Sequence, residues 1–468
     1  MLRTDDLDYH LPEELIATRA AEPRDSARLM VVSRRDPSRV EHLRVRDLPS
    51  VLGRGDMLVF NTTRVIPARL EGVRRDTGGK VSGLYLATSG GTAVQSGRSG
   101  GTGFGGTALQ SGRADAVRWV AFIKARRFRA GAIVDLFDNA GRPTEYALRL
   151  VERDGANGAE TASAQGQGMT GLETGPTQAD PAKEVEQGAW IVEVLGVDPT
   201  TDPGGMQALE RVGHTPLPPY ILGKRRRAGE RVEDAEDRAR YQTVYAGSGG
   251  AGAGRADAGA SSPSAGSVAA PTAGLHFTPE LLGRLDELGV ERADVVLHVG
   301  SGTFKPVETE FIEQHRMHSE MCSMSPETIA RVRAARQAGR RVIAVGTTSA
   351  RTLESYAKLE DDRSGDRSHQ DQHDRSGDRS HQVNTPRWPG WLDTNLLITP
   401  GYQWRWTGGL LTNFHLPRST LLAMVSSLLT PAGGEPMEGV RRLLGLYELA
   451  VREGYRFYSY GDAMVVVE

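Results

Sequence analysis

The hydrophobic period of this chain changes twice along its length, and this limits the fold more than any single motif does. Near the start, Leu29 to Ser33 (LMVVS) and Asp56 to Asn61 (DMLVFN) read as short buried strands, and Leu11 to Ala20 has helical spacing with a proline at its start. From Leu70 to about Val212 the pattern becomes a series of separated strand-like runs with no helix between them. They include Arg118 to Lys124 (RWVAFIK), Ala132 to Phe137 (AIVDLF), Tyr146 to Val151 (YALRLV) and Trp190 to Leu195 (WIVEVL). Such runs predict a small antiparallel sheet or barrel. After Pro271 helical patterns at Thr278 to Leu288 and Pro326 to Ala338 alternate with a strand at Arg341 to Val345 (RVIAV), the mark of an α/β layer. The expected fold class is therefore α/β, with a main domain built from both ends of the chain (1–70 and 213–468) and a smaller antiparallel β-barrel-like domain (71–212) inserted between them.

Composition enters where the pattern breaks. At 468 residues the chain exceeds the usual single-domain size, and its 56 glycines are too clustered to be ordinary turn residues. Four tracts, 89–112, 157–187, 247–266 and 362–382, are poor in apolar residues and predict solvated, disordered insertions. The last holds DRSGDRSHQ twice and three of the 11 histidines, His369, His373 and His381. A metal site there lacks any apolar residue to fix a geometry, so a loop is the expectation.

Charge and cysteine content exclude several classes. A formal charge of -2 gives no bulk attraction to nucleic acid, so RNA contact would rest on local basic patches. With Cys322 as its one cysteine the chain has no intrachain disulfide and no multi-cysteine zinc site. The acidic start MLRTDDLDYHLPEELIA does not resemble a signal peptide, and no apolar run reaches the ~20 residues needed to span a bilayer. The expectation is a cytoplasmic monomer with no membrane partner.

Five segments are dense in residues that solve no folding problem: PTAGLHFT (271–278), HVGSGTFKPV (298–307), HRMHSE (315–320), TNFHLPRST (412–420) and YRFYSYGD (455–462). Each joins a histidine, acid or aromatic to glycine, proline or a small hydroxyl residue. Proton-moving side chains beside backbone that a ligand approaches closely are what an active site on loops requires. His315 and His318 have H-x-x-H spacing, but the further ligands of a zinc site are missing, so no metal is expected. Cys322 reads as a small buried hydrophobe, with a nucleophile as the alternative. The turn GTTS (346–349) leads from strand into a helix N-terminus, whose free N–H groups suit an anion or carboxylate.

These strings carry a resemblance. DDLDYHLPEELIA, DSARLMVV and GDMLVFNTTRVIPARL at the start, then GSVAAPTAGLHFT, HVGSGTFKPVE, HRMHSE, RVIAVGTTSARTLES, LLTNFHLPRSTLL and YRFYSYGDAM, together resemble the S-adenosylmethionine:tRNA ribosyltransferase-isomerases of queuosine synthesis. Residues 76 to 215 are similar to that family only in β-rich texture, and the four tracts are extra to a more compact pattern. The resemblance implies transfer and isomerisation of the ribosyl unit of S-adenosylmethionine onto 7-aminomethyl-7-deazaguanine at the tRNA wobble position, giving epoxyqueuosine, adenine and methionine. S-adenosylmethionine is then a ribosyl-donating substrate. The reaction needs a base beside the sulfonium, an acid for the departing adenine, and an unprotonated amine.

On that reading the candidates for proton transfer are His276, His298 and His415, with His318, Glu308, Glu320 and Asp462 as alternates that sequence does not rank. Gly274, for close backbone approach, and Asp462 join the cofactor-binding set. Phe277, Phe414 and Tyr458 are candidates to stack on a base, against the alternative that each fills core, and Gly346, Thr347, Thr348 and Arg351 to hold the methionine carboxylate. For tRNA phosphates the candidates are Lys124, Arg126, Arg127 and Arg129, and Lys224, Arg225, Arg226 and Arg227. Two other readings stay open: a non-catalytic RNA-binding β-barrel module, and an RNA methyltransferase, which lacks its expected G-x-G-x-x-G loop here.

Overall fold

The structure is a computed structural model that describes residues 1–36, 38–89, 116–124, 128–154, 189–230, 234–247, 266–300, 307–370 and 390–468, with side chains at 363–370 outside the description. Most of the four polar tracts, together with Arg126 and Arg127, therefore lie outside the described residues.

The first part of the chain supplies β1 (Arg28–Ser33), β2 (Val40–Arg44), the short helix α1 (Leu48–Val51) and β3 (Met57–Asn61). Six strands follow: β4 (Arg69–Arg74), β5 (Lys80–Thr88), β6 (Arg118–Lys124), β7 (Ile133–Phe137), β8 (Pro143–Arg153) and β9 (Ala189–Leu195). They close into an antiparallel barrel in the order β4-β5-β6-β9-β8-β7. Strand β9 alternates buried and half-buried residues along its length, the period of a sheet that is wet on one face. The inward set includes Leu70, Tyr85, Trp119, Leu148, Leu150 and Val192, and α2 (Met206–Val212) adds Leu209 and Val212 to it. The barrel's first strand thus begins at Arg69.

The chain then returns to the larger sheet through α3 (Pro219–Arg227), α4 (Asp234–Arg240), α5 (Pro279–Leu288), β10 (Glu291–Leu297), β11 (Glu320–Ser323), α6 (Pro326–Gln337), β12 (Val342–Val345) and α7 (Thr347–Gln370). It ends with β13 (Leu392–Thr394), β14 (Gly409–Asn413), α8 (Thr420–Leu429), α9 (Pro436–Arg452) and β15 (Ala463–Val467). Among the described residues these form a nine-stranded sheet ordered β13-β11-β10-β3-β12-β14-β15-β1-β2. Its four central strands β10, β3, β12 and β14 run parallel, while β15 opposes β14. Alternate residues of β3 serve two cores. Met57 and Val59 pack with α6, α7, α8 and α9, whereas Leu58 and Phe60 pack with α5.

Helix starts follow their caps. Thr278 accepts from Leu281 N at the start of α5 with Pro279 in the first turn, and Ser325 does the same for Thr328 N in α6; each cap contributes about 1 kcal/mol. The helix expected at Leu11 to Ala20 is instead a single 3-10 turn, Glu13–Leu15. Beyond it the backbone leaves the helix to pair with another segment: Ala17 N donates to Phe457 O and Phe457 N to Leu15 O. Tertiary pairing there overrides local spacing. The 362–382 tract also departs from expectation, because α7 continues to Gln370 and takes in the first DRSGDRSHQ copy. Once nucleated, a helix adds a hydrogen bond for each further residue it orders.

Candidate active site

The parallel direction of β10, β3, β12 and β14 brings four strand ends to one edge of the sheet, the place where open α/β sheets hold ligands. His298 follows β10, Thr62 and Thr63 follow β3, Gly346 follows β12, and His415 stands just past β14. Because β15 runs the opposite way, Asp462 immediately before it arrives at the same edge, where Asn413 pairs with Ala463. Three inter-strand steps separate β10 from β14, a span of about 14 Å that suits an elongated ligand.

On the β10 side, His298 is half-buried. Its ring stacks on Trp391 with centroids 5.1 Å apart and planes at 19°. Its Nδ1 lies 3.3 Å from the Thr63 hydroxyl, while Nε2 is shielded from solvent and has no partner among the described residues. Burial pushes its pKa below the ordinary imidazole value, so the ring is neutral near pH 7. Beside it Glu320 accepts from Gly300 N at 3.1 Å and forms a buried ion pair with Arg351. Arg351 also reaches the carbonyl of Thr394, and its Nε has no partner among the described residues. Asn61 stitches this side together, donating to Leu297 O and to the Thr348 hydroxyl and accepting from the amides of Leu297 and Thr63.

On the β14 side, the 3-10 turn Thr272–His276 packs against the strand end. Here Asn413 ties three groups together. Asn413 receives the Thr272 hydroxyl at 3.0 Å and donates to Tyr458 O at 3.1 Å and to His276 Nε2 at 3.2 Å. Burial lowers the His276 pKa to about 4. His415 meets the Thr412 hydroxyl at 2.8 Å through Nε2, and burial lowers its pKa to about 4 as well. Its backbone is held by Tyr447 and Tyr9. Tyr458 has a φ of 73°, a left-handed conformation uncommon outside glycine, and its ring lies 4.6 Å from that of Tyr220.

The other candidates fall as follows. Phe277 and Phe414 are fully buried: Phe277 packs edge-on to Phe60 at 5.0 Å, and Phe414 sits among Tyr447, Tyr455 and Phe457. Both fill core, as their apolar strand-end setting favours, and are not presented for stacking. Gly274 is small for an internal reason, since a Cβ there would collide with the Tyr245 hydroxyl. Asp462 does not face an open site. Its carboxylate accepts from Arg28 N and Arg456 N and pairs with the Arg456 side chain. Cys322 is fully buried with its thiol pushed up to about 12, which leaves it a packed hydrophobe. His318 is half-buried and Glu308 exposed. Gly346 adopts φ of 91° to turn from β12 into α7, leaving Thr347 and Thr348 at the helix start. Among the described residues no three His, Cys, Asp or Glu side chains converge as a metal-ligand set.

The basic residues also divide. Arg225 is buried and paired with Asp237 at 2.8 Å, and Lys224 donates to the carbonyls of Glu13 and Ile16. Both fasten α3 to the N-terminal segment; Arg225 is thereby removed from the surface, and Lys224 is half-buried. Arg227 pairs with Glu13, whereas Arg226, Lys124 and Arg129 are exposed. The sequence reading missed Thr63, Trp391 and Asn413. Polar residues placed directly after the all-apolar runs of β3 and β14 were the available signal for two of them; Trp391 had none.

Known proteins are similar in sequence to this chain across its length. The family model described as "Queuosine biosynthesis protein" matches residues 4–466. A chain from Mesorhizobium japonicum named S-adenosylmethionine:tRNA ribosyltransferase-isomerase is 38% identical over 466 residues, covering 99% of this chain and 98% of the relative. A namesake from Rubrobacter xylanophilus is 39% identical over 468 residues, covering 100% and 98%. A crystal structure of an S-adenosylmethionine tRNA ribosyltransferase from Thermotoga maritima aligns at 24% identity over 99% of this chain and 100% of that one, with a TM-score of 0.40. Among the described residues no helix is long and apolar enough to cross a membrane.

Proposed function

Because this chain belongs to the S-adenosylmethionine:tRNA ribosyltransferase-isomerases of queuosine biosynthesis, we propose that it performs that reaction at the carboxyl edge of β10, β3, β12 and β14. The activity is transfer and isomerisation of the ribosyl moiety of S-adenosylmethionine onto tRNA. The acceptor is 7-aminomethyl-7-deazaguanine at the wobble position, and the products are epoxyqueuosine-tRNA, adenine and methionine. The enzyme acts as a cytoplasmic monomer.

The observation that supports the site assignment is the shielded Nε2 of His298, which has no partner among the described residues. In the tautomer whose Nδ1–H donates to the Thr63 hydroxyl the Nε2 lone pair is free, and we assign this form to the neutral ring. His298 is the base that takes the proton beside the sulfonium. Trp391 holds the ring by stacking on it. The start of α7, with Gly346, Thr347 and Thr348, supplies backbone N–H groups for the methionine carboxylate, and Arg351 adds its Nε–H, which has no partner among the described residues. Glu320 neutralises the guanidinium charge and fixes its direction rather than moving a proton. Substrates of opposite ends fit this donor set: a carboxylate beside α7, and a carbon acid beside His298.

Arg226, Lys124, Arg129 and the neighbouring Arg126 and Arg127 supply the tRNA phosphate contacts. The wobble base enters the site unpaired, the usual way in which base-modifying enzymes reach their target. The test is incubation with labelled S-adenosylmethionine and tRNA bearing the aminomethyl-deazaguanine. Release of free adenine and methionine, with sugar label on tRNA, is expected. Label recovered as S-adenosylhomocysteine would replace this reading with methyl transfer, and tight tRNA binding without turnover would replace it with a binding module.

A further inference from the structure

Asn413 is 3% exposed, and all of its amide bonding is accounted for by three neighbours. One is the carbonyl of Tyr458, which can only accept, so the group facing it at 3.1 Å is the Nδ2 amino group. That contact fixes the amide orientation, and the Thr272 hydroxyl donating to Oδ1 at 3.0 Å agrees with it. The second hydrogen of Nδ2 points at His276 Nε2, 3.2 Å away. A donor directed at an imidazole nitrogen requires a lone pair there, so the ring proton must sit on Nδ1.

We propose that Asn413 is a positioning residue that locks His276 in its neutral Nδ1–H tautomer, which makes His276 a hydrogen-bond donor and not the base of the reaction. The positive-φ turn at Tyr458 serves the same arrangement, because it aims the carbonyl that orients the amide. Asp462 and Arg456 face His276 from the segment before β15, and Arg24 from the N-terminal side. Of these only Asp462 favours the charged ring, against burial and two cations, so the neutral form prevails. The two flanks of the edge thereby hold the same neutral Nδ1–H tautomer and differ in which ring nitrogen is engaged, Nδ1 by Thr63 in His298 and Nε2 by Asn413 in His276. His298 offers a lone pair at Nε2, and His276 offers a hydrogen at Nδ1. The structural part of this inference is independent of the reaction; only its catalytic consequence rests on the function proposed above.

The test is 15N NMR of the full-length protein with labelled histidine, in which Nδ1–H and Nε2–H imidazoles give distinct two-bond patterns. In the wild type His276 is expected as the unprotonated Nδ1–H form from about pH 6 to about pH 8. In Asn413→Asp an acceptor replaces the donor, and the proton moves to Nε2. Asn413→Ala is milder, removes the donor, and brings in the Nε2–H form without adding charge. A wild-type His276 found as Nε2–H, or either folded variant retaining pure Nδ1–H, overturns the proposal. Adenine release is read in parallel and is expected to fall at least about tenfold in both variants. A changed tautomer with unchanged adenine release upholds the lock while removing His276 from the reaction.

Discussion

The two flanks of the sheet edge are built from similar residues, yet they differ in how far those residues satisfy one another. Around β14 and β15 the amide and the carboxylate are fully engaged: Asn413 has three partners, and Asp462 binds two backbone amides and a guanidinium. Around β10 and β11 two buried polar atoms, His298 Nε2 and Arg351 Nε, have no partner among the described residues. An unmet buried polar group costs about 1–3 kcal/mol, so these two atoms are the candidates on this flank to be met by a bound ligand. The paired flank sets geometry, and the unpaired flank waits for a ligand. Substitutions on the first should therefore cost stability, and on the second activity.

The largest effect on stability is expected for Asp462→Ala, which strands Arg456 and two backbone amides. A loss of about 2–5 kcal/mol, seen in chemical denaturation, fits the comparison. Normal stability with lost activity would move Asp462 to the reacting side. Gly274→Ala should cost about 1–3 kcal/mol, because the new methyl group meets Tyr245 in a packed core. If the protein melts normally but KM for S-adenosylmethionine rises, Gly274 serves a ligand after all. On the other flank Thr63→Val should leave stability within about 1 kcal/mol while kcat/KM falls about tenfold, since the valine no longer selects the His298 tautomer. The smallest effect belongs to the surface. Arg226→Ala should weaken tRNA binding less than about tenfold and reduce the slope of log affinity against log salt by about one, with melting unchanged.

How much of this was legible follows from where each residue's partners lie. Local signals carried the barrel strands, the Thr278-Pro279 and Ser325-Pro326 helix starts, and the turn from β12 into α7. The five motifs, where described, point to one edge of the sheet because strand direction gathers them there, but they do not divide the labour. His276 and Asn413 are 137 positions apart, and nothing in either neighbourhood announces their hydrogen bond. The Lys-Arg-Arg-Arg run misled for the opposite reason. Read as a charge cluster it suggests a solvated face, but Ile221 and Arg225 are four residues apart on one side of α3, and both turn inward. The acidic stretch after the run holds the partner, Asp237. Strand β10, with Glu291, Arg292 and Asp294 in its first four positions, lacks the pure apolar run that exposed β12 and went unread.

The central claim, that His298 is the base, is tested most directly by the pH dependence of kcat/KM in the wild type and in His298→Gln. A base must be unprotonated, so activity rises with pH through its pKa and then levels. Since burial lowers the His298 value, the midpoint of that rise should fall below the ordinary imidazole value of about 6.5. His298→Gln should lose about 10²–10⁴-fold in rate and lose that rise, while still binding tRNA. A His298→Gln enzyme that keeps both its rate and its acid limb would contradict the account.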